Sequence, residues 1–254
     1  RYSRERAVQS LLIPTNHLHP PYCHKYRSDD HVDLVLPSRF VVVETKLLRL
    51  GEVSGDVEVL KRETPFQGFF RLDRLHLRHR LFEGGWSGTM QRELFVRPPA
   101  AAVLPYDPQR GEILMVEQFR VGALDWRDTP WCLELIAGLA DKEGELVADL
   151  VRREAREEAG VEIGEMKRVP HYMPSPGGSN ERLQVFVGRA DLSNAGGVHG
   201  VVEENEDIRV VVRPVSEVEA LLRSGRVDNA ASLITLQWLL LHRDTLDREW
   251  GAAS

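Results

Sequence analysis

Glu154, Glu157 and Glu158 stand at i, i+3 and i+4, so a helix through them carries three carboxylates on one face. Helix stability alone gives no reason for this, because like charges at that spacing repel unless cations neutralise them. Hard divalent cations such as Mg2+ take oxygen ligands of this kind, few from protein and the rest from water and substrate phosphates. Arg152, Arg153 and Arg156 lie within reach, and a solvated helix face laced with ion pairs answers the bare spacing as well. The flanks separate the two readings. Gly138 precedes the segment, Gly144 and Glu145 open the helix, and Gly160 stands where a helix end takes left-handed backbone. Seven residues separate Glu145 from Arg153, and Arg-Glu-apolar-x-Glu-Glu-x-Gly-apolar then runs unbroken to Val161.

That string resembles the signature of the Nudix hydrolases, a loop-helix-loop that holds metal against a pyrophosphate. Charges, glycines and apolar positions agree together, which makes the resemblance specific. One departure exists. Six residues separate Gly138 from Glu145, where the family pattern has one fewer. The extra residue falls in the loop at 139–143 and leaves the helix register, hence its carboxylates, untouched.

The rest of the chain sets limits. At 254 residues it can bury a sizeable core in one domain, or in one domain with an appendage. Hydrophobic residues at 42% and charged residues at 28% are ordinary for a globular protein. A net charge of −6 supplies no electrostatic reason to expect nucleic acid or an anionic membrane as a partner. No apolar run has the length of a membrane span and no signal-peptide pattern is present, so the expected compartment is the cytoplasm. Cys23 and Cys132 are too few for a disulfide framework, and Cys132 lies in an apolar run that reads as core.

Residues 1–50 differ in texture and are expected to be an extension that begins at Arg1 rather than a methionine. His17, His19, His24 and His31 fall there, but Pro20-Pro21 breaks any helix and no acidic partner is regularly spaced. From about residue 51 the pattern becomes regular. Residues 57–60 and 72–77 alternate as strands do, and 93–96 continue a small β-rich region. Residues 100–104 and 112–117 read as strands paired around the turn at 107–111. Strands are also expected at 183–188 and 208–212. Ser216-Glu217-Val218-Glu219 reads as a capping box for a short helix stopped by Gly225, and a longer amphipathic helix after Asp228 carries Leu233, Leu236, Leu240 and Leu241. Mixed elements in this order imply an α/β domain with helices covering a mixed sheet.

Two further segments have the chemistry a pyrophosphate site needs. Glu203-Glu204-Asn205-Glu206-Asp207 is a second acidic run, which reads as a solvated loop or as a mobile loop delivering a general base. Residues 173–182, with Pro174, Ser175, Pro176, Gly177 and Gly178, read as a turn or as a rigid substrate loop whose backbone amides and Glu181 approach a ligand.

Here the resemblance narrows. Pro176 follows Val161 at the distance typical of the ADP-ribose diphosphatases among Nudix enzymes, and Arg62-Glu63-Thr64, Gly68-Phe69-Phe70, Glu117-Gln118-Phe119-Arg120 and Asp228-Asn229-Ala230-Ala231 extend the similarity. It implies an α/β/α sandwich with a mixed sheet over residues 97–254. A smaller β-rich dimerisation region would precede it over 51–96, exchanged between the subunits of a homodimer. It implies Mg2+, with Mn2+ a substitute, held by Glu154, Glu158 and the carbonyl of Ala137, and joined by Glu206 in the substrate complex. Glu204 would be the general base, with Glu157 the alternative base or an outer ligand. Glu145, Arg153, Gly138 and Gly160 would hold loop and helix together. Phe69, Arg92 and Glu93 would contact the adenine end from the second subunit, and Arg120, Ser175 and Glu181 would line the site. Two alternatives stay open: another nucleoside diphosphate sugar, such as GDP-mannose or ADP-glucose, as substrate, and a non-catalytic ADP-ribose binder.

Overall fold

A computed structural model of the chain describes residues 53–251 apart from Trp126, Arg127, Asp141 and Glu143, and gives only the backbone of Val53, Ser54 and Glu204. The extension at 1–50, with its histidines and Cys23, lies outside the described residues.

Two sheets make up the described chain. The first is an antiparallel meander of β1 (Val53–Ser54), β2 (Val57–Gln67), β3 (Arg71–His79) and β4 (Met90–Val96), in sequence order. β2 and β3 pair from Val57 opposite His79 to Gln67 opposite Arg71, and Gly68 N–H closes their turn onto Phe70 O at 2.9 Å. Both strands run longer than their period-two alternation shows, because two register shifts in β2 interrupt the pattern.

The second sheet is mixed. Its strands are β5 (Ala100–Asp107), β6 (Glu112–Phe119), β7 (Trp131–Glu134), β8 (Ile136–Leu139), β9 (Met166–Tyr172), β10 (Leu183–Arg189), β11 (Val198–His199) and β12 (Ile208–Pro214). They order as β11-β12-β6-β5-β10-β9, with β7 beside β6 and β8 beside β5. β10 runs parallel to β5, and the remaining pairs are antiparallel. β5 is buried at every position, as a strand must be when both faces of its sheet are covered. Ala101, Val103, Leu114 and Val116 pack on one side with Leu150, Val151 and Ala155 of α1 (Val147–Ala159). Ala102, Leu104 and Met115 pack on the other with Leu236, Leu239 and Trp250 of α3 (Ala230–Trp250), near α2 (Val218–Arg223). The result is the α/β/α sandwich with a mixed sheet, preceded by the small β-rich region.

Several local expectations need correction. α1 starts at Val147 rather than at Glu145, without a side-chain cap, because Glu145 is occupied by Arg153. Ser216 does not cap α2; a 3-10 turn, Val215–Glu217, feeds directly into it. Leu241 faces solvent, and Leu239 takes its place in the core. α3 is capped instead by Asn229, whose side chain accepts from Ser232 N–H at 3.0 Å.

Candidate active site

α1 buries its apolar stripe on the sheet and turns its acidic edge toward the bare backbone of β8. Glu154 lies flat against Gly138: a Cβ built there would stand 2.1 Å from Glu154 Oε1 and 2.6 Å from its Cγ. One turn further, Glu158 is only 4% exposed, and its Oε2 accepts from the Ala137 N–H at 3.3 Å. A side chain at 138 would displace the carboxylate beside it.

Arg153 closes the other side. Its Nε and Nη2 grip the two oxygens of Glu145 at 2.9 and 3.2 Å, while Nη1 reaches Glu154 at 2.8 Å and Glu157 at 2.9 Å. The paired grip fixes the loop to the helix and holds the Glu145 carboxyl below its ordinary range. Gly160 ends α1 in the left-handed region (φ 63°), its N–H returned to Ala155 O and Arg156 O.

Charge is undercompensated at this cluster. Burial first, and then the neighbouring Glu157 and Glu206, push Glu154 up to about 7, although Arg153 opposes the shift. Burial, and then the charges of Glu154 and Glu206, push Glu158 up to about 8 against the Ala137 N–H and Arg120. Closely set oxygen donors that resist ionisation in this way fit a hard divalent cation, which would neutralise both. Among the described residues, no three His, Cys, Asp or Glu side chains already converge as a closed cage. Mg2+ asks for none, since it keeps waters and takes substrate phosphates.

A pH dependence follows. Both carboxyls have folded-state pKa values above the ordinary 4.5, so the folded state retains protons that the unfolded state releases. Their stabilising contribution is complete below about pH 4.5 and is lost as pH rises through about 7 to 8. The metal-free protein should therefore melt lower at pH 8 than at pH 5.5. Mg2+ should raise the midpoint more at pH 8, where fewer protons need displacing. Thermal melts at both pH values, with Mg2+ and with chelator, check this; equal Mg2+ shifts would count against it.

The second acidic run forms the connection between β11 and β12. It turns through Val202–Glu204, with Asn205 left-handed at φ 55°. Gly200 N–H is tied to Glu157 O of α1 at 3.3 Å, and Glu206 Oε2 accepts from Val201 N–H at 3.1 Å. Glu206 is close enough to act electrostatically on both Glu154 and Glu158. Glu204 lies in the turn.

The proline loop is bolted to the small sheet. Phe95 N–H donates to Gly178 O at 2.8 Å, Arg97 N–H to Asn180 Oδ1 at 2.8 Å, and Arg97 Nη1 to Glu181 at 2.8 Å. Ser175 O receives the N–H groups of Gly178 and Ser179. Phe69 is 83% exposed and meets Phe70 edge-on, which in turn meets Phe95. Arg120 pairs with Glu134 at 2.7 Å and its charge reaches Glu158. The described contacts of Arg92 and Glu93 stay within the small sheet, to Gln91 O and Arg74. The single chain thus gathers the metal-ligand candidates, Glu157, Glu206 and Arg120, and no described contact joins Phe69, Arg92 or Glu93 to them.

Four residues that hold this arrangement have no role assigned by the sequence alone: Glu134, Arg97, Asn180 and Glu117. Only Glu117 left a signal, as a charge following Ile113, Leu114, Met115 and Val116 in a strand apolar on both faces.

A sandwich that lays a paired-carboxylate helix against a bare glycine strand defines a class of fold and site rather than a generic α/β domain. The chain belongs to the NUDIX family, whose domain description matches residues 96–235. It is 48% identical over 197 residues to an Escherichia coli K12 protein named ADP-ribose pyrophosphatase, covering 78% of this chain and 94% of that one. A Haemophilus influenzae protein of the same name is 41% identical, over 77% of this chain and 91% of its own length. A GDP-mannose pyrophosphatase of Pectobacterium atrosepticum is 33% identical over 59% of this chain and 77% of its own. A solved structure described as an ADP compounds hydrolase superposes with a TM-score of 0.57 at 18% identity, covering 78% of this chain and 97% of that one; at that identity the likeness concerns the fold.

Proposed function

We propose that the protein is a pyrophosphate-bond hydrolase that cleaves ADP-ribose to AMP and ribose 5-phosphate with Mg2+. The observation that carries the chemistry is the buried Glu154–Glu158 pair cradled by Gly138 and Ala137. The relatives named ADP-ribose pyrophosphatase, matched over nearly their whole length, support the substrate.

Glu154, Glu158 and the Ala137 carbonyl would hold Mg2+, about two or three ions in all, with Glu206 joining when substrate is bound; Mn2+ shares the ligand preference. A metal held there would neutralise phosphate oxygens and lower the pKa of the attacking water. Glu204 accepts the proton of that water as its oxygen bonds to one phosphorus, and the bridging oxygen leaves with the other phosphate. Glu157, whose carboxylate is taken by Arg153, is the alternative base. Arg120, Ser175 and Glu181 line the substrate. Phe69, with Arg92 and Glu93, meets adenine from the second subunit of a homodimer built through the small sheet, and the exposed Phe69 ring suits a stacked base. The compartment in this reading is the cytoplasm; no helix among the described residues is long and apolar enough to cross a membrane.

The division of labour has a direct test. Glu204→Gln should lower Mg2+-dependent AMP release by about 10²–10³-fold while leaving Mg2+ and ADP-ribose binding largely intact. Unchanged turnover in that variant would move the base to Glu157 or elsewhere. ADP-ribose binding with no Mg2+-dependent cleavage by the parent protein would favour a non-catalytic binder.

A further inference from the structure

Glu117 is 6% exposed near the end of the buried run of β6, where an ionised carboxylate is costly unless its oxygens are paired. Here both are. Arg209 Nη2 donates to Oε2 and Arg226 Nη2 to Oε1. The two arginines come from different elements. Arg209 is the second residue of β12, at the outgoing root of the acidic loop, and stands directly opposite Glu117 in the β6–β12 ladder. Arg226 lies between α2 and α3, and its Nη1 also donates to Trp131 O at 3.3 Å.

The incoming root of the same loop is fastened elsewhere. Gly200 N–H is bonded to Glu157 O of α1. Gly200 sits at φ 110°, where an added Cβ would stand 2.8 Å from the Glu206 Cβ. The loop is therefore held at one end by the metal-ligand helix and at the other by a buried anion on β6. Backbone pairing from Arg209–Glu117 to Pro214–Glu112 already holds β12 to β6, so strand pairing does not need the ion pair. What the ion pair adds is a fixed side-chain position at the loop root.

We propose that Glu117 is a positioning residue for the acidic loop: through Arg209 it sets where residues 200–207 stand over α1, and through Arg226 it locks that brace to the segment before α3. This inference rests on reading the acidic loop as the element that supplies Glu204 and Glu206 to the reaction.

Glu117→Gln removes the charge and keeps the shape, and Arg209→Gln removes only the loop-side arm from a largely exposed side chain. Hydrogen–deuterium exchange should quicken about tenfold or more over residues 198–207 in both variants, with α1 and β5 unchanged. With saturating Mg2+, kcat for ADP-ribose should fall about tenfold while KM stays within about twofold. The double variant should lose no more than Glu117→Gln alone, and Arg209→Lys should recover most of kcat. Unchanged exchange at 198–207 in both single variants would overturn the proposal. So would loosening spread evenly over β6, β12 and α3, which is what a merely structural role predicts. The two readings fail separately. A loop loosened in a protein that cleaves no ADP-ribose sinks the proposed function and leaves the brace standing; a loop still tight in an active enzyme sinks the brace alone.

Discussion

Glu158→Gln should abolish turnover and at the same time stabilise the metal-free protein. Glu158 is almost wholly buried, bonded to the Ala137 N–H, and pushed up to about 8 first by burial and then by Glu154 and Glu206. Removing its charge removes a candidate metal ligand, and the expected cost is about 10³-fold in kcat or more. The stability effect has the opposite sign. At pH 8 the parent carries the expense of a partly ionised buried carboxylate, which glutamine does not, so the metal-free midpoint should rise by about 2–4 °C. Near pH 5, where the parent carboxyl is protonated, the gain should vanish. Melts at the two pH values beside steady-state kinetics separate the effects. A variant that lost both activity and stability at pH 8 would show that Glu158 holds the fold together rather than a cation.

Gly138→Ala should be nearly as damaging from outside the acidic set. The new Cβ would lie 2.1 Å from Glu154 Oε1 and 2.4 Å from its Cδ, inside any tolerable contact. The flexible end of Glu154 must swing away, and with it goes the geometry of a ligand that Arg153 otherwise holds. Displacements of about 1 Å at a reacting centre cost about 10²-fold in rate. The Mg2+ concentration for half activity should rise, because the loss lies in the ligand set rather than in substrate contacts. Normal activity at normal Mg2+ would mean that Glu154 does not ligate from this position.

The sequence is most readable where one element contains the whole relation. Glu154, Glu157 and Glu158 share a helical face through spacing alone, and Gly160 marks the helix end because its backbone is left-handed there. The start of α1 was misread because Glu145 looks like a first-turn acid, whereas its carboxylate is drawn sideways to Arg153. β7 and β8 were not expected as strands: each is four residues long, they are separated only by Leu135, and their mostly apolar run lacks alternation. Pro170 hid β9 in the same way. The brace from Glu117 to Arg226 spans 109 positions, and the clamp of Arg97 on Glu181 joins the small sheet to the proline loop. No local period connects such pairs. Only the sheet order, which places β12 beside β6, brings Arg209 to Glu117.

Substrate choice is the central claim, and relatives named for two different sugar nucleotides bracket it. The most direct measurement is kcat/KM for ADP-ribose, ADP-glucose and GDP-mannose, with Mg2+ and with chelator, and with products identified. ADP-ribose should exceed the other two by about tenfold or more, yield AMP and ribose 5-phosphate in equal amounts, and show no turnover without the metal. Preferred cleavage of GDP-mannose would contradict the account.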